Sequence, residues 1–530
     1  MSGPLVRVRG LAVDFGAPAV RGVSFDVERG QVVAIVGESG SGKSVTARTL
    51  VGLAGETARI RADELTFDGI DLTGLGRRWR ELRGRRIGLV VQDALGSLDP
   101  LRRVGAEVAE ALREHRIVPR AAVGETVLDL LAQAGIPEPA VRARQYPHQL
   151  SGGLRQRALI AAALAAGPDL LIADEPTTAL DATVQRQVLA LLRERAAAGT
   201  AVLLISHDLA AVAELADHVH VMRDGVFVEE GPPSQVLAAP RHPYTRALLA
   251  AIPTAATRGR SLSGTIPSLD EPGGRPEPGR EVVAVRGVAK AFRIRGRAPI
   301  TAARDVSFTV RAGETLGIVG ESGSGKTTVG RMLLGLVAPD TGTVAFDGQD
   351  WAALRGKERR AARRRVQMIY QDPLSSFDPR YTARQVVAEP AGHARVPELL
   401  GLVGLDEATV DRPARELSGG QRQRLAIARA LAAEPEVIVC DEPVSALDVS
   451  IQAQVLDVLV DVQRRLGVAY VFISHDLGVV HHVADRVLVM RDGEVVESGD
   501  VTEVFARPRH WYTRELIAAA PGRAVAGAAG

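Results

Sequence analysis

One long stretch of this sequence occurs twice, and that duplication constrains the fold more than any other feature. Gly37–Ser44 reads GESGSGKS and Gly320–Thr327 reads GESGSGKT. Leu150–Gly153 and Leu417–Gly420 both read LSGG. Asp174–Glu175–Pro176 returns as Asp441–Glu442–Pro443, and Ser206–His207–Asp208–Leu209 returns as Ser474–His475–Asp476–Leu477. Features repeated in the same order mean duplicated domains. The 530 residues also exceed the roughly 250–300 at which one hydrophobic core stops growing. The expected organisation is one domain over 1–257, a flexible Pro/Gly/Arg-rich linker over 258–280, a second domain over 281–518, and a disordered Ala/Gly-rich tail over 519–530.

In the first copy, Val32–Val36, Leu170–Ala173 and Ala201–Ile205 are short, nearly continuous apolar runs. Leu316–Val319, Val437–Cys440 and Ala469–Ile473 are their counterparts in the second. Such runs suit strands covered on both faces of a parallel sheet. Helical stretches follow each run, so the class is α/β. Val104–Leu131 and Ala383–Leu402 read as helical and strand-poor, which predicts a helical subdomain inserted into each half. No stretch offers about 18 uninterrupted apolar residues; Ala158–Ala173 comes nearest and is broken by Gly167, Pro168 and Asp169. The opening residues lack an apolar core and read as a strand rather than a leader peptide. Any membrane role is therefore expected to come through partners. A net charge of +2 supplies no field that would draw nucleic acid or an anionic bilayer. The single cysteine, Cys440, excludes an internal disulfide and a multi-cysteine metal site, and it reads as a small buried hydrophobe. The arginine cluster Arg359–Arg365 reads as a solvated helix face.

The chemistry is carried by residues at the ends of those runs. Each GxxGxGK[ST] follows an apolar strand and opens a helix, the context of a phosphate-binding loop. In Gly37–Glu38–Ser39–Gly40–Ser41–Gly42–Lys43–Ser44 the glycines let backbone N–H groups wrap phosphates without Cβ clashes. Lys43 can reach the β- and γ-phosphates, and the Ser44 hydroxyl can ligate Mg²⁺. The helix N-terminus adds partial positive charge. Gly320, Glu321, Ser322, Gly323, Ser324, Gly325, Lys326, Thr327 and Thr328 repeat the arrangement. Asp174 and Asp441 end rigid strands and can hold Mg²⁺ through water; Glu175 and Glu442 can act as general bases on an attacking water. His207 and His475 follow strands on the side where ligands bind in such sheets and can contact a γ-phosphate. Gln92 and Gln371 each follow a strand, placed to meet Mg²⁺ or the attacking water. Ser151–Gly152–Gly153 and Ser418–Gly419–Gly420, with Gln421 next, open helices and form a second anion cradle in each half. A second cradle makes sense if it serves the other half's nucleotide.

The order of phosphate loop, glutamine, LSGG, Asp–Glu pair, Ala–Leu–Asp loop (Ala179–Asp181, Ala446–Asp448) and histidine resembles the ATP-binding cassette family over nearly the whole chain. The resemblance implies two tandem P-loop NTPase (ABC-type) nucleotide-binding domains, each with an inserted helical subdomain, using ATP and Mg²⁺. It implies that each ATP lies between one half's phosphate loop and the other half's signature. Phe15 and Phe292 match the aromatic position that stacks on adenine. Pro240–Arg241–His242–Pro243–Tyr244–Thr245–Arg246 is similar to a segment typical of oligopeptide, dipeptide, nickel and glutathione importer ATPases, and Pro508–Arg514 repeats it with Trp511 in place of Pro243. Leu154 stands where the second copy has Gln421, and the cysteine-rich segment frequent in that subfamily is missing. The function this implies is the ATP-hydrolysing motor of an importer for peptides or related small solutes. It would sit at the cytoplasmic face of the cell membrane on separate permease subunits, with an extracytoplasmic substrate-binding protein and no nucleic acid. An exporter motor, or a soluble twin-cassette ATPase acting on ribosomes or DNA, is the alternative. Gln92 to Ser151 spans 59 positions, whereas Gln371 to Ser418 spans 47. The missing residues fall in the helical subdomain, which by resemblance receives the permease, so two non-identical permease subunits are expected.

Overall fold

The computed structural model describes residues 3–91, 94–177, 180–264, 266, 279–293, 299–445 and 447–519. Gln92, Ala179, Ala446, most of the expected linker beyond 264 and nearly all of the expected tail lie outside the described residues. The chain divides into two compact units, the first ending at Leu249 and the second beginning at Ala250.

In the first unit a six-stranded sheet runs in the order Val226–Gly231, His218–Arg223, Val32–Val36, Ala201–Ser206, Leu170–Asp174, Ile87–Val90. The pairings are parallel except at the Val226–Gly231 edge. Val32–Val36, Leu170–Asp174 and Ala201–Ser206 are buried along their whole length, which is why they read as continuous rather than alternating apolar runs. A second, antiparallel sheet runs Pro18–Val27, Val6–Asp14, Glu64–Phe67, Ile70–Asp71, with Arg59–Arg61 also paired to Val6–Asp14. Val33, Ile35 and Leu203 from the first sheet meet Val6, Val8 and Phe67 from the second and Ala47 from the helix Lys43–Thr49 in one core. The second unit repeats the plan. Its parallel-cored sheet runs Val366–Ile369, Val437–Asp441, Ala469–Ile473, Thr315–Val319, Arg486–Arg491, Glu494–Asp500.

Registry explains how distant motifs converge. Val36 pairs with Ser206, and Asp174 with Ile205. Three strands therefore stop at one edge of the sheet, and the loops that leave them carry Gly37, His207 and Glu175. The helical insertions are also present. Helices Val104–Glu114 and Val123–Gln133 pack on Gly152–Leu164 in the first unit, and Ala383–Ala391 and Val396–Leu402 on Gly419–Leu431 in the second. The pair covers 104–133 in one copy and 383–402 in the other, so the shortening seen in the sequence falls chiefly there. In the helix Gly356–Arg365, Arg359 and Arg363 donate to the Gly335 carbonyl and Arg365 pairs with Glu436 and Asp347. Among the described residues no helix is long and apolar enough to cross a membrane.

The expected domain edge at 257 and loose linker from 258 differ from the observed packing. Residues 250–264 lie against the second unit, with Ala251 and Leu262 in its core. Asp457 is fully buried and collects four hydrogen bonds: Ser261 Oγ at 2.7 Å, Leu262 N at 2.9 Å, Ser263 N at 2.9 Å and Ser263 Oγ at 2.6 Å. Arg258 pairs with Asp485 at 3.4 Å. A buried carboxylate is tolerated only when its lone pairs are used this fully. Composition predicts a free segment from 258, but the buried acid holds its described start, residues 258–264, in place. Replacing Asp457 with Ala leaves the buried donors around Leu262 and Ser263 unmatched. It should lower the unfolding free energy of the second unit by about 1–3 kcal/mol and open Arg258 and Arg260 to trypsin, as read by denaturant titration and limited proteolysis.

Candidate active sites

The strand Val32–Val36 runs into the loop Gly37–Gly42, and the helix Lys43–Thr49 starts there. Gly37 and Gly320 have φ of 147° and 148°, and a Cβ at either would strike the carbonyl oxygen of Met222 or Met490. Only glycine fits so close to the neighbouring strand's end. Lys43 is almost completely buried, its Nζ donating to Gly37 O at 2.8 Å and Glu38 O at 2.7 Å. Lys326 makes the same bonds to Gly320 O and Glu321 O at 2.8 and 2.7 Å. Each loop thus holds a cation inside a ring of backbone groups at a helix N-terminus, an arrangement suited to phosphate.

The phosphate loop is tied to the acid strand by one side-chain bond. Ser44 Oγ donates to Asp174 Oδ1 at 2.8 Å, and Thr327 Oγ1 to Asp441 Oδ1 at 3.1 Å. Burial holds both aspartates above the ordinary carboxylate range, against the lowering effect of those hydroxyls. Among the described residues Asp174 Oδ2 is buried without a hydrogen-bond partner, the Arg48 guanidinium standing 3.8 Å away. A hydroxyl, a carboxylate and an unused carboxylate oxygen form a hard-oxygen donor set that fits Mg²⁺.

Glu175 and Glu442 leave their strands in the left-handed region, at φ of 51° and 49°. Few non-glycine residues adopt it, and such strain concentrates at functional sites. The turn is fixed by the backbone: Glu175 N donates to Ile205 O at 2.8 Å and Glu442 N to Ile473 O at 2.9 Å. The carboxylates then meet the histidines, His207 Nδ1 lying 3.1 Å from Glu175 Oε1 and His475 Nδ1 3.1 Å from Glu442 Oε1. In the second unit Gln371 Nε2 donates to Glu442 Oε2 at 3.0 Å and reaches Ser445 Oγ at 3.4 Å. Ser445 was not foreseen from sequence. Burial lowers the affinity of His475 for a proton, but the hydrogen bond and charge of Glu442 outweigh it and the net shift is upward; His207 behaves alike beside Glu175. Burial raises the Glu442 carboxyl, yet His475 more than offsets this and draws it below its usual range.

The model of the family described as "ABC transporter" matches residues 20–178 and 303–445, more than half of the chain. The chain belongs to the ABC transporter family. The model of the "Oligopeptide/dipeptide transporter, C-terminal region" matches 228–275 and 496–526. The chain is 43% identical to the glutathione import ATP-binding protein GsiA of Pectobacterium atrosepticum, over 98% of its own length and 89% of the relative's. It is 42% identical to the oligopeptide transport ATP-binding protein OppD of Mycobacterium bovis, over 98% of each chain. It also matches a chain in the crystal structure of the complex of archaeal ribosomal stalk protein aP1 and archaeal ribosome recycling factor aABCE1, with a TM-score of 0.61 at 22% identity, covering 89% of this chain and 86% of that one. At that identity the likeness is one of fold alone.

In these ABC cassettes the two signature serines are helix caps. Ser151 Oγ accepts from Leu154 N, and Ser418 Oγ accepts from Gln421 N while Gln421 Oε1 accepts from Ser418 N at 3.0 Å. The second cassette has the reciprocal capping box; Leu154 leaves the first with half of it. Phe15 and Phe292 are each 41% exposed, unusual for phenylalanine and compatible with a ring that stacks on a ligand. Cys440 is fully buried and its thiol is pushed up by burial, as expected of an inert residue. Tyr244 and Tyr512 contact the phosphate loops through their hydroxyls. Sequence reasoning had treated them only as parts of a subfamily signature, and the repeated His-x-Tyr-Thr-Arg was the available clue.

The His475 pair generates a titration test. With a raised folded pKa, its contribution to stability is full below the ordinary histidine value near 6.5 and is lost as pH climbs through the folded value. Replacing Glu442 with Gln leaves burial as the dominant influence. The His475 imidazole should then titrate below the wild-type value by at least about one unit, measured by NMR of the nucleotide-free chain.

Proposed function

We propose that the chain energises uptake of peptides or related small solutes through separate membrane permease subunits. The observation that carries this reading is the oligopeptide/dipeptide C-terminal region after both cassettes, in a chain whose relatives are named for glutathione import and oligopeptide transport. Lys43 and Lys326 hold the β- and γ-phosphates of ATP, and Phe15 and Phe292 stack on its adenine. Ser44 with Asp174, and Thr327 with Asp441, would hold Mg²⁺, joined by Gln92 and Gln371. Mg²⁺ bound there would neutralise phosphate oxygens. Glu175 and Glu442 accept a proton as water attacks the γ-phosphorus and the bond to the ADP oxygen breaks. His207 and His475 orient those carboxylates. Ser151 and Ser418, with Gly152, Gly153, Gly419, Gly420 and Gln421, are proposed to serve the nucleotide of the opposite cassette, following the family resemblance.

The permease is proposed to dock on the helical subdomains. A cleft of about 460 Å³ in the second unit supports this, lined by Leu336, Met368, Phe377, Pro390 and Ala430 and flanked by Glu389 and Arg429. Leu336 is an exposed apolar side chain there, suited to an amphipathic cytoplasmic helix. The shorter helical pair of the second unit favours two non-identical permease chains. An extracytoplasmic binding protein would deliver the solute, and the chain would lie peripherally at the cytoplasmic face.

The reading is tested in vesicles containing the chain and the membrane subunits that co-purify with it, with ATP on the cassette side. Labelled peptide or glutathione should move toward that side. Glu175→Gln with Glu442→Gln should cut both hydrolysis and movement by at least about 100-fold while ATP still binds. ATP-driven movement away from the cassette side would overturn the proposal.

A further inference from the structure

We infer that Tyr244 and Tyr512 are positioning residues for ATP binding, each locking one peptide of its phosphate loop from the segment that follows its cassette. The inference rests on the phosphate-loop reading of Gly37–Ser44 and Gly320–Thr327. The peptide between Gly37 and Glu38 is held at both ends. Its carbonyl oxygen accepts from Lys43 Nζ at 2.8 Å, and its N–H donates to Tyr244 Oη at 3.1 Å. The peptide between Gly320 and Glu321 is held by Lys326 Nζ at 2.8 Å and Tyr512 Oη at 3.0 Å. A glycine-led peptide is the one most free to rotate. When Lys43 turns toward phosphate it gives up the Gly37 carbonyl, and the tyrosine remains to fix the peptide.

The tyrosine is itself held in place. The Glu229 carboxylate accepts from the N–H groups of Arg241 at 2.7 Å and His242 at 3.1 Å. His242 Nδ1 accepts from Tyr244 N at 3.2 Å, and the Arg223 guanidinium lies 5.0 Å from the centre of the ring. Glu497, Arg509, His510 and Arg491 repeat this around Tyr512, with bonds of 2.8, 3.1 and 3.2 Å and the guanidinium again at 5.0 Å. The copies differ right beside the tyrosine: Trp511 replaces Pro243. Every member of the tyrosine anchor is nonetheless kept. Packing alone would be served by phenylalanine, because both rings are buried. The hydroxyl is what reaches the loop. The C-terminal region thus acts on nucleotide binding, through the loop and not through the nucleotide.

Tyr244→Phe with Tyr512→Phe keeps the rings and removes the hydroxyls. The double variant should raise KM for ATP, and Kd for a fluorescent ATP analogue, by about 5- to 20-fold while kcat at saturation stays within about twofold. A purely structural role would lower the melting temperature or the active fraction, hence kcat, and leave KM alone. Wild-type KM and Kd, or a fall in kcat with KM unchanged, would overturn the inference. Should the double variant not fold, each single variant is read by its binding isotherm: one weakened class of site beside one of wild-type affinity supports the inference, and two wild-type classes overturn it. Lys43→Ala with Lys326→Ala should abolish analogue binding. Retained binding there would remove the phosphate-loop reading itself, whereas dead lysine variants beside wild-type tyrosine variants would remove only the role of the tyrosines.

Discussion

Side-by-side pairing of three parallel strands is the constraint on which everything else in each unit depends. Val32–Val36 is bonded to Ala201–Ser206, and that strand to Leu170–Asp174. Because parallel neighbours share a direction and these stop at a common level, residues far apart in sequence leave the sheet at one edge. The hydroxyl of Ser44 can then reach Asp174, and His207 can reach Glu175. Complete burial of the three strands makes the edge rigid, and rigidity is what a site made of single side chains on short loops requires.

Much of this was legible in advance because the features concerned are local. Continuous apolar runs announced strands covered on both faces, glycine spacing announced the loops, and two acids at a strand end announced the carboxylates. The inserted helices followed from composition. What stayed hidden depends on tertiary partners. The left-handed backbone of Glu175 and Glu442 has no mark in the residue type, since glutamate seldom adopts it. The clasp of Ser261–Ser263 on Asp457 pairs residues nearly two hundred positions apart, and the position matching Asp457 in the first copy is Ala190, so the repeat offered no hint. Composition makes the segment after 257 look loose, but at residues 258–264 hydrogen bonding to a buried acid outweighs composition. The tyrosine hydroxyls were invisible for the same reason: their partner is a backbone N–H, which sequence does not distinguish.

Duplication within one chain separates what the fold needs from what it tolerates. The ladder of Lys, Ser or Thr, Asp, Glu and His is reproduced bond for bond where both copies are described. The helical pair, the signature cap and the residue before each anchoring tyrosine have drifted. The geometry kept in both copies marks chemistry common to both halves.

The central claim is that each half contributes a working phosphate loop, acid pair and histidine, so that the chain binds two nucleotides. Equilibrium binding of a non-hydrolysable ATP analogue with Mg²⁺ to the purified chain, followed by calorimetry, tests it most directly. The account predicts two molecules bound per chain at saturation, reduced to one when Lys43 alone is replaced by Ala. A stoichiometry of one in the unaltered chain would contradict it.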